Sequence, residues 1–183
     1  MTPQQGNTIE KLSLPASDKD IQELAVLLVE TVASGAAVSF LATLTVDEAV
    51  AWWRQTLATA SRGAIVLVAR EGDQMIGTVQ MHPSWAPNQP HRAEIAKMMV
   101  HTRFRGRGLG TLLMQAIETA ARQAGYRLLT LDTKAGSTAE HLYRRLDWSY
   151  VGTIPDFAFD PDGITPHDDV IFFKDLRVPP PVA

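Results

Sequence analysis

The densest chemical signal in the chain is Arg103-Phe104-Arg105-Gly106-Arg107-Gly108-Leu109-Gly110-Thr111, placed between an apolar run and a long segment of helical periodicity. A helix N-terminus presents unpaired backbone N–H groups and about half a positive charge, and glycines let that backbone approach a phosphate closely. Arg105 and Arg107 add cations at the mouth, so the stretch reads as a cradle for a pyrophosphate. A Walker A loop is excluded, because no Lys-Ser or Lys-Thr follows the glycines. A dinucleotide fingerprint fits poorly: the glycines fall at 106, 108 and 110, although Asp132 follows at a suitable distance, and that reading stays as an alternative. A solvated loop that only caps a helix is the plain alternative, and the strand-loop-helix setting favours the cradle.

Other chemistries are poorly represented. The chain has no cysteine, which excludes disulfides, thiolate metal sites and a covalent relay through a cysteine. His82, His91, His101, His141 and His167 show no metal-ligand spacing, so no metal is expected. They read as surface or loop residues, with His91 a substrate-binding candidate near Glu94. A net charge of −3 argues against nucleic acid as the main partner and suits a small cationic acceptor. The first eleven residues contain no basic stretch leading into an apolar one, so a cytoplasmic location is expected. The longest uncharged stretch, 31–46, is too short to cross a bilayer, so no membrane partner is expected.

These residues must be held by a fold, and 183 residues with 45% hydrophobic content suffice for one core. A single domain over 1–176 with a Pro-rich, disordered tail at 177–183 is expected. A first strand is predicted at 7–14, closed by Pro15. Ser17 and Asp20 open a helix whose stripe is Ile21, Leu24, Ala25, Leu28 and Val32, with Gly35 ending it. Thr45 and Glu48 form a capping box for a second helix reaching Ser61. Strands at 64–70 and 74–81 flank Glu71-Gly72-Asp73 as an antiparallel hairpin. Pro83, Pro87 and Pro90 make 82–91 a loop. A strand at 92–100 and the loop 101–107 precede an amphipathic helix capped by Gly125. A strand at 128–133 ends beside Asp132, a second capping box at Ser137 and Glu140 opens a helix to Leu146, and strands at 149–154 and 170–174 finish the chain. The expected order is β-α-α-β-β-β-α-β-α-β-β.

Arg103-x-x-Gly106-x-Gly108 resembles the coenzyme A signature [RQ]-x-x-G-x-[GA] of the GCN5-related N-acetyltransferase (GNAT) superfamily, and Lys97-Met98-Met99-Val100 precedes it as in that family. Ala139-Glu140-His141-Leu142-Tyr143 resembles the family's A-x-x-[LF]-Y segment. Arg92-Ala93-Glu94, the stretch 131–137 and Pro161-Asp162-Gly163 resemble its tabtoxin-resistance type. The resemblance implies an α/β fold in which a mixed, mostly antiparallel sheet of six to seven strands is flanked by about four helices and split in a V. It implies acetyl-coenzyme A as co-substrate, lying between the strands at 94–100 and 128–133. Main-chain groups of Met98, Met99 and Val100 would pair with the pantetheine, and backbone N–H groups from Arg105 through Gly106, Arg107, Gly108, Leu109 and Gly110 to Thr111 would hold the pyrophosphate. Ser137 stands where an asparagine often contacts the cofactor, and Asp147 where glycine is common.

Acetyl transfer to an amine needs a neutral nitrogen, and an alkyl ammonium of pKa about 10 must first lose a proton. Glu94 and Asp132, carboxylates in otherwise apolar strands, are the candidate bases and acceptor-binding groups, with an ion pair to Arg92 or Lys97 as their alternative role. The resemblance makes Tyr143 the candidate acid beside the coenzyme A sulfur, with plain core packing as the alternative. It also makes Phe40 a wall of the acceptor pocket, with core filling equally open. Direct N-acetylation of a small primary amine is therefore expected. A non-catalytic acyl-coenzyme A sensing module is the second reading.

Overall fold

The computed structural model describes residues 6–60 and 63–177. The helices begin where side chains can satisfy backbone donors. Ser17 accepts from Asp20 N ahead of α1 (Asp18–Ala33), and Thr45 and Glu48 form the complete reciprocal box ahead of α2 (Val46–Ala58). At α4 (Thr138–Arg145) the box expected from sequence is only half made. Ser137 Oγ accepts from Glu140 N at 3.1 Å, but Glu140 reaches past Ser137 to the N–H of Gly136 at 2.6 Å. α2 stops at Ala58, short of Ser61, which lies outside the described residues together with most of the Pro-rich tail.

Seven strands form one sheet: β1 (Thr8–Lys11), β2 (Ile65–Glu71), β3 (Gln74–Pro83), β4 (Arg92–Val100), β5 (Leu128–Lys134), β6 (Ser149–Phe159) and β7 (Pro166–Asp175), in spatial order β1-β2-β3-β4-β5-β7-β6. Every neighbouring pair is antiparallel except β4 with β5. Alternation along β2 divides the core between two faces. Val66 and Val68 pack with α1 and α2, while Ile65, Leu67 and Ala69 pack on the face that carries α3 (Leu109–Gln123).

Three expectations change at this level. The strand expected at 7–14 is shorter, four residues long, because its ladder with β2 covers only Thr8 to Lys11. His82 and Pro83 belong to β3 rather than to a loop, and pair with Glu94 and Ala93. Proline is tolerated there because its nitrogen faces the β2 edge beyond the last β2–β3 pair, Ile65 with Met81, where no donor is required. The last two strands are longer than their apolar cores. The breaker Pro155-Asp156 is absorbed in a register shift between Ile154 and Ala158, with Asp156 at φ 50°. The turn that joins them is locked by Asp162, whose carboxylate accepts from Ile164 N, Thr165 N and the Thr165 hydroxyl and is thereby held down at a pKa of about 2.

β4 and β5 pair only at Arg92 with Leu128, Ala93 with Leu129 and Glu94 with Thr130. Three residues later Lys97 adopts φ 49°, within a register shift of the β3–β4 ladder between Thr78 and Gln80. Such a bulge bends its strand. It carries residues 98–100 away from β5 and opens the split.

Candidate functional site

The mouth of the split is built by the turn from β4 into α3. A single 3-10 turn, Thr102–Phe104, is capped by His101 and followed by exposed residues 105–108. Gly108 is the N-cap of α3 at φ 79°, a conformation that disfavours any residue with a Cβ. α1, α2 and α4 each begin with a side-chain cap, whereas α3 has none. Its ladder starts with Leu112 N donating to Gly108 O at 3.1 Å, which leaves the N–H groups of Leu109, Gly110 and Thr111 ahead of it. A Cβ built on Gly106 or Gly108 meets nothing within 4 Å, so the cradle is open to a ligand. Arg105 Nε donates to Val100 O at 3.0 Å, and the Arg107 guanidinium stacks 5.3 Å from the Phe104 ring centroid. Both arginines are thereby set at the mouth.

Coenzyme A fits these features. The uncapped helix end suits a pyrophosphate, and β4 beyond Glu94 has a strand edge that β5 no longer covers. Met99 is buried while Met98 and Val100 are partly buried, so side chains hold this edge in place, and its main chain is left to pair except at the Val100 carbonyl, which Arg105 occupies. Ser137 lies 3.5 Å from Thr133 Oγ1 and is occupied as the α4 cap. Asp147 holds φ 56°, the left-handed conformation for which a glycine is suited.

Past the paired end of β4 and β5, on the α1–α2 side, lies a second group of side chains. Glu94 and Asp132 are both exposed, and they face the same way, because Glu94 pairs with Thr130 two residues before Asp132. Neither makes an ion pair among the described residues. Arg92 turns instead to Thr130 Oγ1 at 3.1 Å, and Lys97 Nζ donates to Val38 O and Ser39 Oγ, each at 3.1 Å. The Lys97 ammonium lies 5.6 Å from the ring centroids of both Phe40 and Trp52. Burial lowers its pKa, opposed by the Asp132 and Glu94 carboxylates. Phe40 and Trp52 meet edge to face at 5.1 Å. Phe40 of the α1–α2 connector and Trp52 of α2 thus bound the Lys97 ammonium, and Ala42 N donates to Pro161 O at 2.7 Å to join the connector to the β6–β7 turn.

Tyr143 is buried among Trp148 and Phe172, at centroid distances of 6.0 and 6.2 Å. Burial, with the Asp132 carboxylate second, pushes its hydroxyl well above the usual tyrosine range, so it stays protonated as a proton donor must. His91 is placed elsewhere. Its carbonyl accepts from Arg127 N and Leu128 N at the closed end of the split, in a cavity of about 240 Å³ lined also by Arg177. The structure therefore does not bring it to Lys97 and Asp132.

Several residues escaped the sequence reading. Histidines 101 and 167 are buried, not superficial, and His82 is half-buried opposite Glu94, its pKa lowered by burial and then by Lys97. Lys97 was visible as part of a strand and as a possible ion-pair partner of Glu94 or Asp132; its bulge follows from the β3 register, which a single sequence does not display. Among the described residues no cluster of His, Asp and Glu is placed to hold a metal, and no helix is long and apolar enough to cross a membrane.

Residues 34–148 match the acetyltransferase (GNAT) family. The chain belongs to that family, whose general activity is transfer of an acetyl group from acetyl-coenzyme A to an amine. Solved structures share the fold. A putative acetyltransferase from Acinetobacter baylyi ADP1 superposes with a TM-score of 0.78 at 18% identity, covering 98% of this chain and 97% of its own. An N-acetyltransferase from Staphylococcus aureus Mu50 gives 0.76 at 19% identity over 93% and 99% of the two chains. A putative acetyltransferase from Salmonella typhimurium, solved with its cofactor acetyl-coenzyme A, gives 0.74 at 19% identity over 93% and 94%.

Proposed function

We propose that this chain acetylates the primary amine of a small molecule, an amino acid or an amino-acid-like toxin or antibiotic, by direct transfer in a ternary complex. The observation that carries this reading is the placement of Glu94 and Asp132 on one face at the end of the split, both close enough to act on the Lys97 ammonium. Two exposed carboxylates on one face attract an ammonium, while the Phe40 and Trp52 rings, already occupied by the Lys97 ammonium, bound the site beside them. The resemblance of Arg92-Ala93-Glu94 and of residues 131–137 to the tabtoxin-resistance type supports an amino-acid-like acceptor.

Acetyl-coenzyme A supplies an acetyl group activated as a thioester. The chain's residues do the rest. The α3 N-terminus with Arg105 and Arg107 holds the pyrophosphate, and main-chain groups of residues 98–100 align the pantetheine. Glu94 and Asp132 draw in the ammonium, and one of them, directly or through a water, removes its proton. The Tyr143 hydroxyl donates toward the sulfur as it leaves. The test is release of free thiol from acetyl-coenzyme A with a panel of amino acids, amino-acid amides, polyamines and aminoglycosides. Saturable, amine-dependent release is expected. Tight acetyl-coenzyme A binding with no release for any amine would assign the chain to acyl-coenzyme A sensing instead.

A further inference from the structure

Asp132 has a buried neighbour that the mechanism above does not use. In the β5–β7 ladder Asp132 pairs with Ile171 and Lys134 with Asp169, so Asp169 is the diagonal neighbour of Asp132 on the same face. Asp132 is exposed, whereas Asp169 is 5% exposed. Across this diagonal the two carboxyl groups interact, so that each one's protonation is coupled to the charge of the other. Behind Asp169 lies His167, also buried, with Nε2 3.4 Å from Asp169 Oδ1 and Nδ1 3.0 Å from Asp160 Oδ1. Both distances are short, yet the angles do not make hydrogen bonds. His167 Nδ1 and Asp169 Oδ1 therefore remain buried without a partner.

Buried, under-satisfied polar groups are costly, and a set of them directly behind an exposed carboxylate at a reaction site calls for a chemical role. We propose that Asp169 is a positioning residue for proton removal, sharing one proton with Asp132 and so making the exposed carboxylate a stronger base for an alkyl ammonium. The proposal rests on the reading that Asp132 takes the acceptor's proton. In that step an N–H bond of the ammonium breaks, the electron pair stays on nitrogen, and an O–H bond forms at Asp132. The pair passes from two negative charges to one, and the new proton is held between the two oxygens. Asp132, which faces water, later returns it to solvent.

The surrounding charges agree with this assignment. Burial, the hydrogen bond to Asp132 and repulsion from its charge push Asp169 up to about 6, against an opposing pull from His167. From β5, Lys134 faces Asp169, but its ammonium lies 2.5 Å from Asp160 and is committed there. From β6 the facing residue is Ile154, which is uncharged. Lys97 from β4 and Tyr143 from α4 act on the pair through Asp132, and Glu94 from β4 acts on Lys97. A carboxyl pair that holds its proton to about pH 6 is better matched to an amine than a lone surface carboxylate.

Titration of aspartate-labelled protein by carbon-13 NMR, with the Asp169 signal assigned from D169N, tests this without any acceptor. The expected midpoint for Asp169 is about 6 in the parent and lower in D132N, where burial persists but the shared proton and the repelling charge are gone. A midpoint in the ordinary carboxylate range, or one unmoved in D132N, overturns the proposal. The second readout is the pH–rate profile with the fastest amine of the panel. D169N should move the acid limb to lower pH and lower the plateau by about tenfold, whereas loss of a merely structural group would lower the rate without moving the limb. An unmoved limb overturns the proposal as well. Absence of turnover with every amine would count against the acetyltransferase reading and leave the NMR titration to decide the carboxyl pair.

Discussion

Asp169 shows how one side chain can serve chemistry at the expense of the fold. Its carboxyl ionises with more difficulty in the folded chain than at the reference value of 3.8. The stabilising contribution is therefore complete below about pH 4 and is lost as pH rises through about 6. An asparagine, which never ionises and can still donate to Asp132, escapes that loss. D169N is expected to be more stable than the parent by about 1–3 kcal/mol at neutral pH and indistinguishable from it in acid, as read from thermal unfolding across pH. Equal unfolding temperatures at all pH values would mean that Asp169 is solvated like a surface acid. Glu94 and Asp132 are exposed, and their replacement should act on rate instead. E94Q or D132N should lower turnover by about 10²–10⁴-fold with acetyl-coenzyme A affinity unchanged, checked by steady-state kinetics beside calorimetry. Parent-like turnover in both variants would reduce the two carboxylates to surface charges. They were legible in sequence because a charge interrupting an apolar strand is conspicuous. Asp169 was not, because it sat in a segment whose prolines and aspartates resembled a loop.

At the scale of elements, legibility followed how local the determining physics is. Capping at Ser17 and Thr45, the hairpin turn read at Glu71-Gly72-Asp73 and the amphipathic stripe of α3 are each set within a few residues, and all were readable, though Glu71 itself still pairs with Gln74. The bulge at Lys97 and the full length of β6 and β7 depend on the register of a partner strand, which no local pattern states. The cradle proposed for coenzyme A belongs to the local kind. Because Gly108 sits at φ 79° with open space where a Cβ would project, G108A places a methyl group on the ligand side and strains the left-handed conformation. The expected result is weakened acetyl-coenzyme A binding by isothermal calorimetry, with a folding cost of about 1–2 kcal/mol. Unchanged affinity would move the pyrophosphate away from the α3 N-terminus.

Taken as a whole molecule, the sheet divides the labour between its faces. One carries α3 and α4 with Tyr143, the other carries α1, α2 and their connector. The connector is a span of few regular hydrogen bonds, in which Ser39 holds φ 73°, Ala42 N reaches Pro161 O and Leu44 N reaches Leu41 O. Its firmest tie to the sheet is Lys97, which donates to Val38 O and Ser39 Oγ and places its charge over Phe40 and Trp52. The bulge that opens the split therefore also presents the side chain that ties the connector to the sheet. Hydrogen bonds from a charged donor contribute about 1.5–3 kcal/mol, and methionine keeps the length and apolar stem of lysine without the charge. K97M should then accelerate amide exchange at Ala42 and Leu44 by roughly 10- to 100-fold, while amides of β2 and β3 in the core keep their protection. The β6–β7 turn should loosen with the connector, since Ala42 is bonded to Pro161 and a Cβ on Gly163 would touch Leu41 at 3.7 Å. Exchange rates at Ala42 and Leu44 equal to those of the parent would show that the aromatic contacts of Phe40 and Trp52 alone hold the connector, and that Lys97 serves only to offset the carboxylates.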